Sequence, residues 1–175
     1  METLHKLEAQ LEPLFKDLPE LPKNAKDTLV SIWPYLALFL AIIQLAAAFT
    51  VWGAVTSTNR ILEAANYLSA SIGYGVVYSQ TDKILLYVGI GFLIVNAAIF
   101  LMAYKPLSEK SKKGWDLLFL ASVVNVAYGV LQIFLVGYGL PSFLMSLVGS
   151  AIGFYLLFQI KNNYTQKKTK TTKTK

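Results

Sequence analysis

"ILLYVGIGFLIVNAAIFLMAY", Ile84–Tyr104, runs for 21 residues without a charge and is bracketed by Lys83 and Lys105. As a helix it would rise about 31 Å at 1.5 Å per residue, the thickness of a bilayer's hydrocarbon core. A helix of a soluble bundle keeps a polar face; this segment is apolar all round, and the reading is a transmembrane span.

Three further runs have the same character: Ile32–Trp52, Trp115–Tyr138 and Pro141–Ile160, with Asp116 the only charge in any of them. Their boundaries carry aromatic residues, as headgroup-level anchors do. Trp33 and Trp52 lie 19 residues apart, about 28 Å along a helix. Over the whole 175-residue chain 55% of residues are hydrophobic and 15% charged, against about 25% charged in soluble domains. Too little polar chain remains to cover four such helices in water. The expected fold is all-α: a bundle of four transmembrane helices (spans about 32–52, 84–104, 115–138 and 141–160), preceded by an amphipathic N-terminal helix and followed by a disordered basic tail. The segments are 1–27, 28–160 and 161–175.

Four crossings place both termini and the 105–114 loop on one side, with the 53–83 and 139–140 loops on the other. Of 16 basic residues, 14 fall on the first side and only Arg60 and Lys83 on the second. The positive-inside rule makes the first side cytoplasmic, so "KPLSEKSKKGWD" (105–116) reads as a topology clamp. The implied location is the inner (plasma) membrane. Ten charges in residues 1–27 argue against a cleaved signal peptide.

Leu4, Leu7, Leu11, Leu14, Leu18 and Leu21 follow a 3-4-3-4-3 spacing. Pro13, Pro19 and Pro22 interrupt it, and proline inside a helix costs about 3 kcal/mol. The spacing therefore predicts a short amphipathic helix before Pro13 and a broken turn after it. That helix would dock on the membrane interface or on the bundle; the alternative is a partner-binding helix. The tail "KNNYTQKKTKTTKTK" (161–175) holds six lysines and no acid, a disordered composition suited to anionic lipid headgroups at roughly 1 kcal/mol per lysine. It lacks the aromatics and arginines of a nucleic-acid reader. In the outer loop, Ile61, Leu62, Ala65, Leu68 and Ile72 share one helical face, as in an interfacial helix, and Arg60 and Glu63 are spaced to pair.

Catalysis needs groups that transfer protons, attack or bind metal. The predicted interior has no acid, base, histidine or cysteine; the chain has no cysteine, and its single histidine is His5. No catalytic residue, metal ligand or cofactor is assigned. Asp116 sits where a carboxylate offsets a helix dipole. The interior does hold amides and hydroxyls. Counted by helical rise from the lysine-rich side, Asn96, Asn125, Ser150 and Gln44 fall at roughly 12–18 Å depth. They come from four different helices and define a candidate interhelical polar layer, read as a register-fixing layer or as a small polar chamber. Asn96 and Asn125 are expected to face each other. On the fourth helix Ser142, Ser146, Gly149 and Gly153 form small-x-x-x-small patterns, a packing face within the bundle or between subunits.

The entry "LPKNAKDTLVSIWPYLALFLAIIQL" (21–45) resembles that of small, uncharacterised four-helix integral membrane proteins of bacteria, particularly reduced-genome lineages. The resemblance implies the same fold and a bacterial inner-membrane setting, and brings no activity with it. Together these features point to a non-enzymatic multi-pass protein acting through helix packing and partner contacts, as subunit or scaffold and with homo-oligomers open to it. The alternative is a small oligomeric transporter or channel with an amide-lined site.

Overall fold

The protein is all-helical in a computed structural model that describes residues 2–71, 73, 80–136 and 140–165, with no strand among them. The elements are α1 (Glu2–Lys16), α2 (Lys23–Ser71), α3 (Gln80–Ser108), α4 (Lys112–Val136) and α5 (Leu140–Thr165). Among the described residues, three stretches are long and apolar enough to cross a membrane: Lys23–Ser57, Ile84–Ser108 and Lys112–Leu131. Successive helices pack α2 on α3, α3 on α4 and α4 on α5, with α5 returning to touch α2 and α1.

α2 meets α3 along a seam of small residues. Val30, Ala37, Ala41, Ala48 and Val55 are buried at heptad-related positions, with Gln44 and Val51 filling the pattern between them. The 3.5-residue spacing matches the shallow left-handed crossing of coiled coils, and alanine lets the backbones approach closely. Two aromatic pairs fix the register. Tyr35 lies against Tyr104 and Trp52 against Tyr87, so 17 residues up α2 match 17 residues back along α3.

The turn from α3 to α4 is only residues 109–111. Lys110 takes a left-handed φ of 51° and its N–H donates to the Leu107 carbonyl, while that of Ser111 donates to Pro106. These bonds satisfy the last carbonyls of α3, as a C-terminal helix cap requires. Gly114 then passes so close that a Cβ there would stand 2.6 Å from the Leu107 nitrogen. Only glycine fits.

Three expectations need correction. Pro13 does not end α1, which continues to Lys16. Proline's missing N–H and its clash with the Ala9 carbonyl affect one turn near the helix end, and Phe15 is held there by ring contacts with Phe154 and Phe158. Residues 61–71 do not form a separate interfacial helix. They continue α2, which at 49 residues is about 73 Å long. No glycine or proline interrupts residues 54–71, and Gly73 at φ 81° marks the stop. By the register above, residues 60–71 pass beyond the level of Gln80, where α3 begins. Finally, residues 161–165 are helical, a continuation of α5, so the tail is not disordered from Lys161 onward. Lys167 to Lys175 lie outside the described residues.

Candidate functional site

Among the described residues, the densest cluster of polar contacts lies at the lysine-rich end, where α1 crosses the ends of α4 and α5. The inward face of α1 carries Leu4, Leu7, Leu11 and Phe15, all packed against the main core. Glu8 rides on that face and is only 7% exposed. Its carboxylate meets Lys161 of α5 at 2.8 Å and Lys112 of α4 at 3.3 Å. Lys112 also binds Asp116 one turn on at 2.7 Å, and Lys161 binds Glu12 at 2.7 Å. Both ammonium groups lie over Trp115, at 4.7 and 5.6 Å from its ring, close enough for cation–π attraction. Trp115 is fully buried, donates its Nε1–H to the Leu157 carbonyl at 2.8 Å and stacks on Phe119 at 5.3 Å.

Burial pushes the Glu8 carboxyl up. The hydrogen bond from Lys161 and the charges of Lys112 and Lys161 outweigh that push and hold it below the ordinary value of 4.5. Burial lowers Lys161, but Glu12 and Glu8 raise it above 10.5 overall. Both groups are therefore charged at neutral pH, and the network fastens α1 electrostatically to α4 and α5. Nearby, Tyr164 is buried and hydrogen-bonds the Val30 carbonyl; burial pushes its hydroxyl up to about 12.

The turn from α1 to α2 is fastened separately. The Tyr155 hydroxyl donates to the Pro19 carbonyl at 2.6 Å, and the Leu21 N–H donates to Gln159 Oε1 at 3.1 Å. Beneath α1, between this turn and α5, lies a cleft of about 470 Å³ bordered by Glu12, Lys16, Glu20, Lys26 and Phe158, among others. It has the size of a small-ligand site.

Of the predicted polar layer, the structure joins two members. Asn96 on α3 donates Nδ2–H to Asn125 Oδ1 on α4 at 3.2 Å, and Asn125 donates to the Ala121 carbonyl at 2.8 Å. Asn96 is buried, yet its Oδ1 has no hydrogen-bond partner. Gln44 sits opposite Val95 in the α2–α3 register, one residue from Asn96, and its Oε1 is likewise buried without a partner. Ser150 is half-buried on α5 and makes no hydrogen bond to these amides among the described residues. Of the predicted packing face, Gly149 and Gly153 border open space: nothing described lies within 4 Å of a Cβ built on either. The side chains of Ser142 and Ser146 lie outside the described residues.

Sequence reasoning missed the Glu8–Lys161–Lys112 network and the role of Trp115 at its centre. The local signals were present, Glu8 and Glu12 one turn apart and Lys112 and Asp116 likewise. Nothing in the sequence joins the two pairs. Lys161, counted there among the lipid-facing tail lysines, is instead engaged inside the protein.

Comparisons with family models, with curated proteins and with solved structures return no match.

Proposed function

We propose that the chain is a four-span protein of a bacterial inner membrane, with both termini cytoplasmic, which acts without enzymatic chemistry as a subunit or scaffold that offers a helix face to other membrane proteins. The observation that carries this reading is the open ridge of α5. Gly149 and Gly153 have no neighbour at Cβ distance among the described residues, while Leu144, Met145, Val148 and Ile152 stand exposed around them. In lipid, helices associate through close backbone approach at such small residues, and among the described residues nothing packs against these two glycines.

Replacing both glycines with leucine tests it. Because the added side chains enter open space, thermal stability in detergent should stay within about 0.5 kcal/mol, while a co-purifying partner or a homo-oligomer is lost. A large loss of stability without any change in association would sink the proposal.

A transport reading has one observation in its favour, the unpartnered acceptor oxygens of Gln44 and Asn96 at one level of the bundle. Solute flux in liposomes that disappears on Asn96→Leu, with the fold intact, would promote it over the scaffold.

A further inference from the structure

The cleft under α1 combines four observations that bear on a ligand. Its charged residues alternate in sign along the chain: Glu12, Lys16, Glu20 and Lys26. Lys16 has no ion-pair partner among the described residues. Lys26, its side chain 21% exposed, binds Glu20 at 2.9 Å, but the Glu20 side chain is 82% exposed, and water competing for that carboxylate leaves the pair weak enough to exchange for a ligand's charge. Two ammonium groups are thus available to phosphate oxygens, and two carboxylates border the same space: Glu20, and Glu12, which is half exposed and also holds Lys161 at 2.7 Å. A second phosphate attraction comes from the first turn of α2, where Lys26 sits at the positive end of the helix dipole.

The third observation is apolar. Phe15 and Phe158 stack at 5.3 Å beside the cleft, and on the adjoining segment Leu14 and Leu18 stand 68% and 42% exposed. The fourth is depth. The Tyr155 and Gln159 contacts pin residues 19–21 against the last turn and a half before Ile160, where the proposed fourth span ends. On that reading, on which this inference rests, the cleft opens at headgroup level with Leu14 and Leu18 beside the acyl chains.

We propose that this cleft binds one glycerophospholipid whose headgroup carries a primary ammonium beside its phosphate, as in phosphatidylethanolamine. Lys16 and Lys26 take the phosphate, and Glu12 and Glu20 accept from the ammonium. A purely anionic headgroup would meet the same two lysines but also two opposing carboxylates. The lipid would fill the space between α1 and α5 and so strengthen the docking of α1.

The full chain, delipidated in detergent, should gain thermal stability saturably on addition of phosphatidylethanolamine. Phosphatidylglycerol of the same acyl chains should require a roughly tenfold higher concentration for the same shift, and water-soluble glycerophosphoethanolamine should give a much weaker one. Lys16→Ala with Lys26→Ala should keep the lipid-free melting temperature within about 2 °C, since neither lysine belongs to the Glu8 network, and should weaken the phosphatidylethanolamine response at least tenfold. Should the double variant fail to fold, Lys16→Glu alone provides the same readout. Equal responses to the two lipids, or an unchanged response in the variants, would overturn the proposal. A soluble headgroup acting as strongly as the lipid would also overturn it, in favour of a free zwitterion. Thiol labelling of Glu109→Cys and Ser69→Cys from either side of the membrane tests the span reading independently, so the two failures cannot be confused.

Discussion

The two ends of the bundle are built on different principles. At the lysine-rich end, α1, the start of α4 and the end of α5 meet around Trp115, and directional contacts accumulate there: ion pairs, an indole hydrogen bond and four stacked or edge-on rings. At the other end the described core shrinks to Ala48, Val55 and Ile90 with Val51 and Leu93 beside them, and α2 runs on past the level of Gln80, where α3 begins. The first end specifies one arrangement; the second supplies apolar surface that would tolerate several. Stability in proteins is distributed unevenly for this kind of reason, and in this one the division follows the long axis.

The sharpest way to break the contrast is to remove the centre of the first end. Trp115→Ala deletes a fully buried indole, its hydrogen bond and both cation–π contacts. A loss of about 3–5 kcal/mol is expected, visible as early unfolding in detergent denaturation. If the loss is no greater than for an exposed residue, the two ends do not differ as described.

Next in size is Glu8→Ala, which strips two ammonium groups of their shared partner. Charged hydrogen bonds of this kind contribute roughly 1.5–3 kcal/mol, and proteolysis of α1 should accelerate while α3 and α4 stay protected. The same network sets a pH window. The Glu8 carboxyl is held below 4.5, so its contribution is complete above that value and fades as pH falls through the folded-state pKa. Lys161 is raised above 10.5, so its share is complete below that value and is lost as pH rises through its folded pKa. Tyr164 adds a loss beginning near pH 10 and complete near about 12. Glu8→Ala should therefore lessen the fall in melting temperature on the acid side.

A smaller effect is expected midway between the ends. Asn96→Leu and Asn125→Leu should each cost about 0.6 kcal/mol, the average for interhelical hydrogen bonds in membranes. The double variant should lose less than the sum, the mark of coupled residues. Strict additivity would show that the 3.2 Å contact contributes nothing. The smallest effect belongs to the overhang of α2. Ile61, Tyr67 and Leu68 are 70%, 79% and 63% exposed, and Ile61→Ser or Leu68→Ser should change stability by no more than about 0.5 kcal/mol. A loss comparable to Glu8→Ala would erase the contrast between the ends.

The same contrast explains what could be read from the sequence. The Ile84–Tyr104 helix was legible because an uncharged run flanked by lysines leaves little choice of structure. The Asn96–Asn125 contact was legible because a short connection makes α3 and α4 antiparallel, so counting helical rise places the amides at one depth. The length of α2 was misread because polarity ends a span without ending a helix; the better signal was the absence of glycine and proline between Ala54 and Ser71. The Glu8 network was not legible at all. Its pairs are joined only by the folded path of the chain, and charge counted along a sequence does not say which lysine faces which acid.

The ion pair between Lys161 and Glu12 joins residues 149 positions apart, and this gives the fold a clock. At about 5–20 residues per second, the ribosome delivers Lys161 roughly 7–30 s after Glu12. For that interval Glu8 has at most Lys112 of α4 as a partner, and the leucines of α1 wait because the α5 surface that helps to receive it has not been made. Until then it is available to chaperones or to the membrane surface. Completion of α5 is thus the event that retires α1 from outside contacts, and a chain stalled before Lys161 would keep its first helix on offer.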